Sequence, residues 1–296
     1  MRSSWCLVAG CAALGCGVYD YDLGSRAGAT ETLPDLGPPF SEPVLIAELS
    51  DPDEHDDDPA LTADMLEIYF SSRRDGGQGV GDIWRSERSS VNDTWAPPTV
   101  VEDLNTEEDE TTVAIAPDGL TIWVSSDREG GLGGTDVWVA TRDSRSSAWS
   151  SLALVEEVSS SEDEIVRGVT PTGDLLLAWR EDVDETPFDL YVARRDGSTF
   201  LPPEPISELN TPDNEADAFL ASDDCVLYYT TDAAGEDDLV VAARADPNSP
   251  FVLVRALDEL NSDSADRDPW VSSDQRFIVF ASRRENNQSD LYMATR

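Results

Sequence analysis

Short apolar runs rich in β-branched and aromatic residues recur along the chain, separated by clusters of turn residues. In the stretch from Asp109 to Arg142, Pro117-Asp118-Gly119 supplies turn chemistry, Leu120 to Val124 forms one apolar run, Gly130 to Gly134 a loop, and Val137 to Ala140 a second run. Both runs are continuously apolar rather than alternating, which predicts strands covered on both faces, as when small sheets stack on one another. No stretch carries a convincing helical period.

The same pattern occurs in five copies. An aspartate opens the second run of each, at Asp82, Asp136, Asp189, Asp238 and Asp290, with spacings of 49 to 54 residues. An arginine stands six positions after each aspartate, at Arg88, Arg142, Arg195, Arg244 and Arg296. Earlier in each copy the turn position holds Asp64, Asp118, Thr172, Asp223 or Asp274, and eight residues before it lies an acid: Asp56, Glu110, Glu164, Glu215 or Asp266. A fourth element opens on an aromatic and reaches an apolar residue nine positions on: Trp95 to Leu104, Trp149 to Val158, Phe200 to Leu209 and Phe251 to Leu260. The fifth copy has no such element after its third run, whereas Phe40 to Leu49 shows the pattern ahead of the first copy.

A period near fifty residues with several short strands per copy predicts an all-β, five-bladed β-propeller over residues 40–296, of about twenty strands. The N-terminal strand should complete the last blade, because a ring joined only by packing between neighbours would open at its seam without ladder hydrogen bonds across it.

At these landmarks the chain resembles the TolB-like and WD-repeat-like propellers of bacterial exported proteins. The residues that carry the likeness in the second copy are Ala116-Pro117-Asp118-Gly119, Trp123-Val124-Ser125-Ser126, Arg128, Gly130-Gly131 and Thr135-Asp136-Val137-Trp138. The third copy departs, with Thr172 for the turn aspartate and Ala178-Trp179 for the serines, and the fourth lacks both the arginine and the glycine loop. The resemblance implies a fold and leaves the ligand open, since propellers host many functions.

Composition narrows the partners. Of 296 residues, 61 are acidic and 20 basic, giving a formal net charge of -41, and every basic residue is arginine. Such a chain repels phosphate backbones and anionic lipid surfaces, so no nucleic acid is expected and membrane contact only through an anchor. Cations are the natural counter-ligands, which leaves calcium open as a weakly bound ion, while the plain reading of the acidity is a solvated surface in a salty habitat.

Residues 1–16 read as a lipoprotein-type signal peptide: Arg2, an apolar stretch from Trp5 to Gly15, and two glycine-cysteine steps at Cys11 and Cys16. Both steps resemble the lipobox of bacterial lipoproteins. Val8-Ala9-Gly10-Cys11 fits the pattern better, whereas Cys16 leaves an apolar region of usual length, and Cys16 is taken as the lipidation site. Residues 17–39, rich in Gly, Asp, Thr and Pro, read as a disordered tether. The expected location is therefore the cell envelope, as an outer-membrane lipoprotein or an anchored periplasmic protein. After cleavage at Cys16 the remaining cysteine is Cys225, expected as a buried small hydrophobe without a disulfide.

Residues present in every copy serve what every copy shares, so the repeated aspartates and arginines are assigned to blade construction. The acids Asp56, Glu110, Glu164, Glu215 and Asp266 precede the innermost strands and are the candidates for a binding rim at one mouth of the central channel. Asp51, Asp53 and Asp57 lie near one another but do not fit a calcium-binding EF-hand loop. His55, the single histidine, lies among acids and reads as a solvated loop residue, and lysine chemistry is excluded. The expected function is a non-catalytic binding or scaffold protein, a monomer, presenting propeller loops to an envelope protein or glycan. The alternative is a carbohydrate hydrolase using paired carboxylates.

Overall fold

The computed structural model describes residues 32–180, 187–221 and 224–296. Cys11, Cys16, most of the predicted tether and the turn residue Asp223 lie outside the described residues. Every regular element described is a strand. Five four-stranded antiparallel sheets follow one another along the sequence, each a meander that runs outward. Their innermost strands are Asp56–Leu61, Glu110–Ile115, Asp163–Val169, Glu215–Leu220 and Asp266–Val271. Each touches the next, and the fifth touches the first, which closes a five-bladed β-propeller around a central channel.

The runs read as two-faced strands are buried on both faces: Glu67–Ser72 and, after the half-buried Phe277, residues 278–282 carry almost no exposed side chain. Five apolar clusters fill the spaces between blades, each drawing residues from neighbouring sheets. The outermost strands are short, from two residues in Thr99–Val100 to five in Val252–Ala256, which limits the unpaired edge each blade presents. The third blade adds a small hairpin, Arg195–Asp196 with Thr199–Phe200, to the twenty strands expected.

The closure is as predicted. Val44–Leu45 pairs with Asp290–Thr295 in the register Val44 to Met293 and Leu45 to Tyr292. The Ile46 and Ser41 amides extend the contact by donating to the Leu291 and Thr295 carbonyls, at 2.8 and 2.7 Å. The end of the segment read as a tether also lies on the body, where Leu36 packs against the cluster that contains Phe40 and Tyr292.

The repeated arginines and aspartates build the blades. The Nε of Arg88, Arg142, Arg244 and Arg296 donates to the carbonyls of Met65, Gly119, Asp224 and Gln275, the same place in the first turn of each blade. The guanidinium of each then stacks over the aromatic that opens the fourth element: Trp95, Trp149, Phe251 and Phe40, at 4.2 to 4.4 Å. In the third blade Arg195 donates instead to Gly197 within the added hairpin, and lies 5.8 Å from Phe200. Asp82 and Asp136 accept backbone amides from their own glycine loops, Gln78 at 2.9 Å and Leu132 at 2.8 Å. Glycine is required there: a Cβ on Gly131 would lie 2.1 Å from the Asp136 carboxylate.

Candidate functional site

The five acids predicted as a channel rim do not form one. Asp56, Glu110, Glu164, Glu215 and Asp266 are at most 1% exposed, each turned back into its own blade. Glu110 accepts the Thr106 amide and hydroxyl, the Ser126 hydroxyl at 2.9 Å and Arg128 Nη2 at 2.8 Å. Asp266 repeats this with Ser262 and Arg284, and Asp56 with the Asp51 amide and Arg74. Glu164 and Glu215 have no such arginine among the described residues and bond to Ser160 and to Thr211 and Thr231. Burial raises the carboxyls of Glu110, Glu164 and Glu215, and pushes Asp56 up to about 6. These groups latch the loop that enters each inner strand, so their recurrence in all five copies reflects construction rather than ligand binding.

The channel is instead lined by a set two residues further on. Asp58, Asp217 and Asp268, from the first, fourth and fifth blades, stand at β-bulges with φ of 57°, 56° and 57°. Aspartate tolerates this left-handed conformation better than most residues, and the extra residue of a bulge re-aims a side chain, here into the channel. The third blade supplies Arg167, also beside a bulge. Its Nε lies 3.0 Å from Asp217 and its Nη1 3.1 Å from Asp268, and Nη1 also pairs with Asp58. One guanidinium thus ties three other blades together across the channel.

Three carboxyls around one cation cannot all be charged cheaply in a buried site. Burial and the neighbouring charges of Asp217 and Asp58 raise Asp268 well above the usual carboxylate range, and burial also raises Asp58. Asp217 is held low: burial opposes its charge, but Arg167 and a hydrogen bond from Thr230 at 2.6 Å outweigh it. Asp268 Oδ2 also accepts the Asp58 amide at 3.4 Å, and its raised carboxyl is the one in the cluster most inclined to hold a proton. Arg167 is raised in return, since the three carboxylates overcome the penalty of its burial.

Above this cluster, where the inner strands begin, the channel opens into a polar cavity of about 310 Å³. Its wall offers acceptors at Asp57, Asp109 and Asp163, donors at Arg73 and Arg267, and the ring of Phe188. The Arg73 guanidinium has no hydrogen-bond or ion-pair partner among the described residues, and Asp57 Oδ1 and Arg267 Nε are buried without a hydrogen-bond acceptor or donor opposite them. His55, read as a solvated loop residue, is half-buried in this wall. Its Nδ1 accepts the Ser289 amide at 3.0 Å, and burial, with Arg283 and Arg73 nearby, lowers its pKa, so the ring is neutral and its Nε2–H is the free donor. Cys225, expected to be fully buried, is half-buried and forms no disulfide among the described residues. Among the described residues no group of three or more His, Cys, Asp or Glu side chains is arranged to hold a metal ion.

The channel set was legible only in part. Asp58, Asp217 and Asp268 fall two positions after the repeated acid in three of the five copies, a second register that could have been read beside the first. Arg167 carried no repeat signal, but an arginine inside an otherwise apolar inner strand is itself unusual, and that was the available clue.

No protein-family model matches the chain, and no curated protein matches it. Solved structures do share its architecture. A putative TolB from Agrobacterium tumefaciens aligns with a TM-score of 0.53 at 16% identity, over 83% of this chain and 78% of that one. TolB from Acinetobacter baumannii aligns with a TM-score of 0.50 at 12% identity, over 80% of this chain, which spans about half (53%) of that longer protein. An endo-arabinase from Bacteroides thetaiotaomicron aligns with a TM-score of 0.58 at 15% identity, over 88% of this chain and 98% of that one. At these identities the shared property is the β-propeller fold alone.

Proposed function

We propose that this chain is an exported, lipid-anchored β-propeller that binds without catalysing, a scaffold of the bacterial cell envelope whose ligand enters the polar mouth of the channel. The ligand chemistry that suits this mouth is a neutral, hydroxyl-rich glycan unit. Vicinal hydroxyls can donate to Asp57, Asp109 and Asp163 and accept from Arg73, Arg267 and His55, while Phe188 offers an apolar face to a sugar ring. No metal takes part in this reading.

The observation that carries it is the position of Arg167. A glycoside hydrolase needs two carboxyl groups about 5 to 9.5 Å apart with the scissile bond between them. Here the guanidinium occupies that space, 3.0 Å from Asp217 and 3.1 Å from Asp268, and it pairs with Asp58 as well. Titration calorimetry with arabino-oligosaccharides and chito-oligosaccharides, run beside an assay for new reducing ends, tests the reading. Binding that weakens at least tenfold in Arg73→Ala, with no release of reducing ends, supports it. Absence of binding to either series at millimolar concentration counts against the glycan.

One observation favours a hydrolase as second reading: Asp217 and Asp268 share one guanidinium and their environments push their pKa values in opposite directions, as for an acid and base pair. The endo-arabinase likeness is compatible with it in fold. Release of reducing ends that disappears in both Asp217→Asn and Asp268→Asn would decide for that reading.

The anchor rests on Cys16. Mass spectrometry of protein from membranes should find a diacylglyceryl-modified cysteine as its first residue, and Cys16→Ser should release the protein in soluble form. A modified Cys11, or an unmodified mature N-terminus, would overturn that assignment.

A further inference from the structure

The five inner strands that begin at the polar mouth end on the opposite face in a second opening of contrary character. Leu61, Ile115, Val169, Leu220 and Val271, one from each blade at the same place in the repeat, converge there on a cavity of about 200 Å³. Phe219 and Trp270, with ring centroids 5.9 Å apart, complete its wall. No residue lines both openings, and the Arg167 cluster lies between them along the inner strands. This apolar opening is therefore distinct from the glycan site.

Its rim is acidic. The exposed rim residues Ala63, Pro117 and Ser273 are each followed by a turn aspartate, Asp64, Asp118 and Asp274. Hydrogen bonds from Ser272 and the Arg276 amide hold Asp274 below the usual carboxylate range, and those from Arg145 and Thr62 do so for Asp64 despite slight burial. Arg145 pairs with Asp64 at 2.6 Å, whereas Asp118 and Asp274 have no guanidinium within ion-pair distance among the described residues. Two exposed carboxylates, each held by local hydrogen bonds, thus stand without an ion pair among the described residues beside an apolar hole in a chain of net charge -41.

We propose that this opening docks a partner protein through one bulky apolar side chain, carried on a segment with lysine or arginine on either side. The side chain fills the hole and the flanking cations lie on Asp118 and Asp274. The size fits: a cavity of ~150 Å³ holds benzene, so about 200 Å³ accommodates one aromatic or branched side chain. The charge pattern selects the segment, because a second copy of this chain would bring the same acidic rim to the contact. An anchor of this kind, apolar at its centre with a charged rim, matches the anatomy of protein interfaces.

The test uses the purified full chain and an amidated five-residue peptide with tryptophan at its centre and lysine at the other positions. Binding is read by NMR shifts of the peptide and by tryptophan fluorescence, at an ionic strength of about 0.15 M so that diffuse attraction is screened. The expected result is saturable binding that weakens at least tenfold when the central residue is alanine. It should also weaken tenfold in the folded variant Ala63→Trp, whose new ring fills the hole from an exposed rim position, with Ser273→Trp as a second such variant should the first not fold. Asp118→Asn should weaken it severalfold. Equal binding of the alanine-centred peptide, unchanged binding in both filled variants, no saturable binding at millimolar peptide, or self-association of the chain through this face would each overturn the proposal. Because the polar mouth is untouched in these variants, oligosaccharide titration of the same proteins reports separately on the glycan reading.

Discussion

The guanidinium of Arg296 lies 4.4 Å from the centre of the Phe40 ring, so an arginine of the fifth blade caps an aromatic contributed from ahead of the first. Elsewhere the two members of this pair belong to one continuous copy, as with Arg142 over Trp149 at 4.4 Å. The ring is thus closed by the same contact that builds each blade, together with the ladder between Val44–Leu45 and Asp290–Thr295. Phe40→Ala should cost about 3 kcal/mol, as for other buried aromatic truncations. Chemical denaturation of Phe40→Ala beside Trp149→Ala should give losses of similar size. Removing residues through Ile46 should lower the midpoint of the whole ring in one transition; an unchanged midpoint would refute closure by this strand.

The latch acids predict an effect on stability without one on binding. Glu110→Gln keeps the shape of the side chain but weakens its bonds to Arg128, Thr106 and Ser126, all of which are buried or half-buried. The loss should be about 1 to 3 kcal/mol, the range for a buried charged hydrogen-bonding group. Oligosaccharide affinity should be unchanged, because Glu110 does not line the polar mouth. A tenfold fall in affinity with an unchanged melting point would restore the rim reading of these acids.

That contrast marks what the sequence could carry. Repetition exposed blade number, strand order and the closure, because each depends on residues that every copy must keep, such as the Asp136 carboxylate over the Gly131 backbone. Repetition could not separate a buried latch from an open rim, since Asp56 and Asp58 are two positions apart and only the bulge sends the second into the channel. The channel chemistry depends on what the copies do not share: Arg167 in one blade, aspartates in three others and Thr112 in the second, whose hydroxyl bonds instead to the Val166 carbonyl at 2.8 Å. The apolar opening is not legible in the sequence for a related reason. Leu61, Ile115, Val169, Leu220 and Val271 look like ordinary core residues until the ring brings their ends together.

Removing Arg167 should be severe and conditional on pH. Arg167→Met leaves Asp58, Asp217 and Asp268 buried without their cation, and breaking a buried ion pair from one side costs about 3 to 5 kcal/mol. The penalty falls on charged carboxylates only, so it should be largest near pH 8 and much smaller near pH 5, where the cluster can take up protons. Urea midpoints of the variant at these two pH values measure the difference. A pH-independent loss would mean that Arg167 contributes through packing alone.

The unmodified chain should itself be more stable in mild acid than in mild base. A carboxyl raised in the folded state keeps a proton that the unfolded chain releases above about pH 4, so its contribution is complete at low pH and is lost as pH rises through the folded value. Asp268 is raised by burial and by the charges of Asp217 and Asp58, Asp58 by burial and by those of Asp217 and Asp57, and Asp56 is pushed up to about 6. Asp217, Asp64 and Asp274 are held low and act in the opposite sense, but only as pH falls below about 4. His55, lowered by burial and by Arg283 and Arg73 against the opposing charge of Asp57, also opposes, losing stability as pH falls below its ordinary 6.5. The groups facing Asp268 are Asp217, Asp58, Arg167, Asp57 and Arg267, so the Asn variant at this position removes the titration with little change of shape. At constant ionic strength the denaturation midpoint should rise between pH 8 and pH 5. In Asp268→Asn that rise should shrink, and the variant should equal or exceed the unmodified chain in stability at pH 8. A variant that is less stable at pH 8 and keeps the full pH dependence would show that the channel holds no such proton.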